Sequence, residues 1–309
     1  MDSKLHISVS PHIRNPISTQ SIMLDVVISL LPATIAGCIL FGLNAVILII
    51  ACVLSCVLCE YIFNLIIKKP QTIGDLSAVV TGLLLALNLP ATTPVWQAVV
   101  GSAFAIILVK CIFGGIGSNL VNPAITARVF MLIAFSATVS KAAFPLTDTV
   151  SSATPLVELA NGNSPSIIDL FLGNIGGAIG ETSALALTIG GIYLLIKRVI
   201  TWHIPVSIIA TVFVLSFLLD GFSFTLALSW ILSGGLFIGA FFMATDYVTS
   251  PASPKGKIVY GIGIALITVL IRFYGNYPEG VSFAILLMNI LNPYIESLTP
   301  RKLFGGKVQ

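Results

Sequence analysis

Charge is what this sequence has least of. Asp, Glu, Lys and Arg make up 9% of its 309 residues, where a soluble domain carries about 25%. Fifteen bases and twelve acids are too few to hold water around a 32.6 kDa globule, which excludes a free-standing soluble enzyme. Cysteine is sparse as well. Cys38, Cys52, Cys56, Cys59 and Cys111 all fall inside apolar segments, which argues against a secreted disulfide framework. The opening stretch, MDSKLHISVSPHIRNPISTQ, holds no apolar core of the kind a secretory signal needs, and no cleaved signal peptide is expected. No Gly-x-Gly-x-x-Gly follows a strand-like run, so no nucleotide-reducing site is expected on this chain. No nucleic-acid partner is expected either.

Apolar residues fill the space that charge leaves. They amount to 57% of the chain, with a mean hydropathy of +1.05. Runs of about 18 residues or more, the length that crosses a hydrocarbon core of about 30 Å, recur along the sequence. Bounded by polar or Gly/Pro breaks, the candidate spans lie near 22–41, 43–67, 76–90, 95–113, 120–138, 182–196, 203–220, 223–245, 258–273 and 281–298. They predict an all-α integral membrane protein of about ten transmembrane helices. The third span, LSAVVTGLLLALNLP, is short and ends at Pro90, and the eighth, SWILSGGLFIGAFFMATD, is interrupted at Gly234–Gly235.

The placement of the few charges orients these spans. With the N-terminus in the cytoplasm, the inner side holds Lys4, Arg14, Lys68, Lys69, Lys110, Lys197, Arg198, Lys255, Lys257, Arg301, Lys302 and Lys307. The outer side holds Lys141 and Arg272, and Arg128 stands within the fifth span. Both termini are therefore expected on the cytoplasmic side of the membrane. The organisation is a cytoplasmic segment (1–21), a first half of five spans (22–138), an extracytoplasmic loop (139–181), a second half (182–298) and a cytoplasmic tail (299–309). The loop carries Asp148, Glu158, Asp169 and Glu181 against Lys141. A connection of this length is a candidate functional segment. The halves are alike in two places. Each ends with Asn-Pro near its last span, in LVNPAITAR (120–128) and ILNPYIES (290–297). Each also has a Pro-rich break before its fourth span, in LPATTP (89–94) and TSPASP (249–254). Five spans per half would make two such copies inverted repeats, with a site at their interface.

Ionisable groups within apolar spans are costly and mark candidate sites. Arg128 follows Asn122-Pro123 in the fifth span and has two readings. Its guanidinium suits the carbonyls of a bound ring system, or it partners Asp25, Asp75 or Asp246, or reaches toward the inner surface. Asp246, after the broken eighth span, and Asp75, before the short third one, either line an ion path at paired half-helices or cap helices at the interface. Cys52, Cys56 and Cys59 share one helix face, as cluster ligands or as packing, and packing is the expectation. His6, His12 and His203 do not cluster, and no metal site is expected. Trp96, Trp202, Trp230, Tyr274 and Tyr277 fall mostly near span ends, as interfacial belts do.

In the long loop, Asp148-Thr149-Val150-Ser151-Ser152-Ala153-Thr154 reads on composition as a solvated Ser/Thr turn. The pattern D-x-x-S-x-A-T also resembles the signal read by flavin transferases, which join the phosphate of FMN to a threonine hydroxyl. That signal usually has glycine where this chain has Ser152, another small residue. Pro155 stiffens the exit. Together with HIRNP near the start, LVNPAITARVF, SSATPL and FFMATDYVTSP, it makes the chain similar to the D subunits of the Rnf electron-transport complex. The chain is also similar to the B subunits of the sodium-pumping NADH:quinone oxidoreductase. The resemblance covers nearly the whole length. It implies FMN joined covalently to Thr154, with Asp148, Ser151, Ser152 and Ala153 as the attachment signal. It also implies a second flavin, riboflavin, in the helix bundle, where Asn122 and Arg128 are the candidate contacts. By the same resemblance the chain relays electrons between ferredoxin and NAD, coupled to sodium or proton movement. Its partners are then the other Rnf-type subunits and a flavin transferase, and it holds no complete active site of its own. A flavin-free channel or secondary transporter is the competing reading, resting on the repeat and the broken spans.

Overall fold

A computed structural model describes residues 17–141, 143–145, 154–162, 165–275 and 280–300. Among these the secondary structure is helical, apart from one isolated antiparallel bridge between Ala143 and Gly177. The first half holds α1 (Thr19–Phe41), α2 (Leu43–Ile67), α3 (Ser77–Leu87), α4 (Val95–Ala103), which continues as a π-helical segment (Phe104–Cys111), α5 (Pro123–Ala134) and α6 (Ser136–Val139). The loop region contributes α7 (Pro155–Ala160) and α8 (Ile167–Leu172). The second half holds α9 (Ala184–Ile196), α10 (His203–Leu219), α11 (Phe224–Leu232), α12 (Leu236–Ile238), which runs into a π-helical segment (Gly239–Met243), α13 (Pro254–Tyr274) and α14 (Val281–Leu298).

Helices start where side-chain acceptors meet orphan N–H groups. Ser18 and Ser21 form a reciprocal capping box at α1, and Ser253 caps α13 ahead of Pro254. Each predicted apolar segment carries helix, yet the helices differ in reach. Four, α1, α2, α13 and α14, are long and apolar enough to cross a membrane, and a fifth span results if α11 and α12 with its π segment, bent by 65°, count as one. At 1.5 Å per residue, the 11 residues of α3 reach only about 16 Å, roughly half a hydrocarbon core. Large apolar side chains face outward all around: Ile39, Leu43, Ile66, Ile133, Ile196 and Leu298 are 70–81% exposed. Such a surface suits lipid or neighbouring proteins and not water.

The two halves share one core. α1 packs on α9 and α5 on α14, while α2 packs on α3 and α4 as α10 packs on α11 and α13. α1 and α9 meet at Gly190, where a Cβ would stand 2.0 Å from the Ser29 carbonyl oxygen. The long connection does not simply bathe in solvent. Leu156 and Leu159 of α7 pack on Trp230, which is buried among protein side chains. The N–H groups of Ile179 and Gly180 donate to Leu89 O (3.0 Å) and Leu87 O (2.7 Å), satisfying carbonyls left open at the end of α3.

Candidate functional site

Two cavities lie at opposite ends of α3. The first surrounds Thr154. Pro155 opens α7 with a fixed φ, which leaves Thr154 as its N-cap in extended conformation (φ −62°, ψ 150°), half-buried. Its Oγ1 accepts from Val157 N at 3.4 Å, a long bond that leaves the oxygen accessible. Thr154 shares with Lys141, Ser140, Glu181, Thr182 and Gly234 the wall of an open cavity of about 620 Å³, a volume that includes solvent at its mouth.

The floor of this cavity is the broken span. Gly234 adopts φ +66°, open to glycine at little cost, and a Cβ there would meet Leu156 Cδ1 at 2.8 Å. The break frees carbonyls that the buried Arg272 recovers, with Nη1 donating to Trp230 O (2.6 Å) and Nη2 to Ser233 O (2.9 Å). Trp230 packs on Phe273 (centroids 4.7 Å apart) and donates its indole N–H to Asp220. α7 is thereby seated on a rigid base.

The second cavity, about 830 Å³ and also open to the exterior, lies between the halves and is lined by Ser77, Lys110, Asn119, Asn122, Thr245 and Asp246 within apolar walls that include Phe241 and Phe242. Asn122 caps α5, its Oδ1 accepting from Ala124 N (3.0 Å) and Ile125 N (3.3 Å), and its Nδ2 donates to Met243 O (3.3 Å). It thus ties the start of α5 to the end of the π segment in the other half. Asp246 lies just beyond that segment, half-buried. Lost hydration pushes its carboxyl above the usual range, partly offset by the Thr249 hydroxyl and the Val248 and Tyr247 N–H groups. Between the cavities stands a wall from Leu84, which lines the second, to Pro90, which lines the first. Asn88 stitches it, donating to Leu84 O (2.7 Å) and approaching Met243 Sδ (3.8 Å).

Next to the second cavity runs a buried charge network. Lys110 Nζ pairs with Glu60 Oε2 at 2.8 Å, both side chains 2% exposed, and also donates to Ser77 Oγ at 2.6 Å. Thr72 donates to Glu60 Oε1 (2.6 Å) and accepts from Asn64 Nδ2 (3.0 Å). Asp75 Oδ1 accepts from the N–H and hydroxyl of Ser77, capping α3. Lys110, counted from sequence among the inner surface charges, is instead buried, and so is Arg272 of the outer set.

The structure thus brings Asn122 and Asp246 into one cavity and gives Thr154 another. Asp75 joins the first pair through Ser77. Arg128, 1% exposed on α5, lines neither cavity. Asp148, Ser151, Ser152 and Ala153 lie outside the described residues. Cys52 and Cys56 are fully buried, with Cys56 Sγ 4.0 Å from Ser102 O, and no group of three His, Cys, Asp or Glu is arranged to hold a metal ion among the described residues. Sequence reasoning passed over Glu60, Lys141 as a cavity residue and Glu181 as a buried one. A lone acid in the apolar run 43–67 was the available signal for Glu60.

The profile of the NQR2, RnfD, RnfE family matches residues 6–305. This chain belongs to that family. Among its relatives, the chain is 49% identical to the D subunit of the Na(+)-translocating ferredoxin:NAD(+) oxidoreductase complex of Acetobacterium woodii, over 97% of this chain and 95% of that protein. It is 40% identical to the D subunit of the proton-translocating ferredoxin:NAD(+) oxidoreductase complex of Clostridium ljungdahlii, covering 97% and 96%. It is 38% identical to the D subunit of the ion-translocating oxidoreductase complex of Stutzerimonas stutzeri, covering 93% and 92%. Membership of the NQR2, RnfD, RnfE family agrees with the resemblance carried by the Asn-Pro and SSATPL motifs and with its near-complete coverage of the chain.

Proposed function

We propose that this chain is the D subunit of a membrane-bound, ion-translocating ferredoxin:NAD oxidoreductase complex and relays electrons through FMN esterified to Thr154. The observation that carries the reading is the position of Thr154 Oγ1. It is an accessible hydroxyl, held by an N-cap at the mouth of an open cavity. The cavity fits the group, since it offers a cation at Lys141 and a buried hydroxyl at Thr182 whose Oγ1 has no hydrogen-bond partner among the described residues. A bound flavin supplies a carrier that takes and releases electrons. The chain's own residues do the rest: Thr154 anchors, Pro155 and α7 fix the direction of exit, and the base of Trp230, Phe273 and Arg272 keeps the anchor still.

The second cavity suits riboflavin. Asn119 Oδ1 is buried there without a partner among the described residues, an acceptor for a ring N–H, and Asn122 lines the same cavity. Phe241 and Phe242 supply apolar wall. Arg128 is the weaker contact, being set back on α5. Asp246 and Asp75 flank this cavity at the end where an ion would enter a path between the halves. The topology we propose has about ten membrane segments, some of them half-helices, with both termini cytoplasmic and 139–181 outside. Corresponding helix pairs, α1 with α9 and α5 with α14, support two inverted repeats. Burial of Lys110 and Arg272 leaves eleven inner charges against one outer, which supports the same orientation.

The test is direct. In the complex made with a flavin transferase, the denatured band of this chain should fluoresce under ultraviolet light, and Thr154→Val should remove the signal while the complex still assembles. An unmodified Thr154 peptide in an active complex refutes the reading and favours a flavin-free transporter.

A further inference from the structure

An ester on Thr154 places a charged linker in the cavity, and that linker needs donors to hold it. We propose that Lys141 and Thr182 bind the phosphodiester on Thr154 and so fix where the flavin ring lies in the cavity. The proposal rests on the reading of Thr154 as the attachment point. A phosphodiester keeps one negative charge at neutral pH and presents two free oxygens, which accept strongly from an ammonium and a hydroxyl together. Both donors are in the wall that contains Thr154. Lys141 is exposed and takes part in no ion pair among the described residues. Thr182 is 1% exposed, and its Oγ1 has no partner among the described residues. A hydroxyl desolvated and left unbonded is destabilising, and a ligand acceptor recovers that loss.

The experiment uses the whole complex made with its flavin transferase, carrying Lys141→Met, Lys141→Arg or Thr182→Val. Attachment is read from the fluorescence of the denatured band, and immobilisation from flavin anisotropy in the native complex. The reduction potential of the bound flavin is the third readout. Lys141 is exposed, so its replacement leaves the fold intact. Lys141→Met should keep the fluorescent band, shorten the rotational correlation time of the flavin several-fold and move its potential to a more negative value. Lys141→Arg should restore both, and Thr182→Val should loosen the flavin without the shift in potential. A flavin as immobile and at the same potential in Lys141→Met as in the wild type overturns the proposal. So does loss of the band in an assembled Lys141→Met complex, which would assign Lys141 to the attachment step. A dark wild-type band sinks the reading of Thr154 itself, and the two failures are thus distinct.

Discussion

Replacing Glu60 by leucine leaves the Lys110 ammonium buried at 2% exposure with the Ser77 hydroxyl as its remaining direct partner and Asp75 one hydrogen bond further on. At the observed 2.8 Å separation, the attraction lost is about 6 kcal/mol for an effective dielectric of about 20. Breaking a buried pair from one side costs about 3–5 kcal/mol in practice, because the remaining charge is uncompensated. Lys110→Met should cost a similar amount by stranding Glu60, which would keep the Thr72 hydroxyl as a donor but lose its counter-charge. The double variant Glu60→Leu, Lys110→Met puts two apolar side chains of similar volume into the same space and should recover most of the loss. The assay is unfolding of the detergent-purified chain titrated with SDS, run as a double-mutant cycle. Single variants within about 1 kcal/mol of wild type, with additive effects in the double, would refute the claim that this pair is a coupled unit.

Other outcomes can be read from the same helices. Gly234→Ala puts a side chain at φ +66° and 2.8 Å from Leu156, so it should cost at least about 1 kcal/mol. It should also lower flavin occupancy at Thr154, as read by in-gel fluorescence. Arg272→Met should leave the carbonyls of Trp230 and Ser233 without their donors and cost about 1–3 kcal/mol for each, measured by the same SDS titration. Asp246 has its folded-state carboxyl pKa raised by burial. Its contribution to stability therefore falls as pH rises from the ordinary carboxylate value through the raised one. Asp246→Asn should flatten that part of the pH–stability profile, and an unchanged profile would count against it.

Much of the helix layout was legible because hydrophobic runs and Gly/Pro breaks are local signals. The break at Gly234–Gly235 and the shortness of the third segment both stand in the sequence and in the structure. Span counting says less about reach, since a run interrupted by Asn88 or Phe135 looks continuous to a hydropathy window but ends as a helix of 11 or 12 residues. Long-range pairing was not legible. Nothing near Glu60 points to Lys110, and nothing near Arg272 points to the carbonyls of α11. Such partners are chosen by packing between helices distant in sequence. The Thr154 site was half legible. Its motif named the hydroxyl, while the cavity around it draws on Lys141, Thr182 and Gly234, which no motif joins.

The two hydrogen bonds from Ile179 and Gly180 to the end of α3 also constrain how the molecule can be made. A short helix entering hydrocarbon alone would carry bare carbonyls at its tip, each costing several kcal/mol. On the proposed topology, α3 should settle at depth only once Ile179 and Gly180 have been synthesised and docked. During biosynthesis it should wait at the membrane surface, and truncation before Gly180 should strand it there even though every residue of the first half is present.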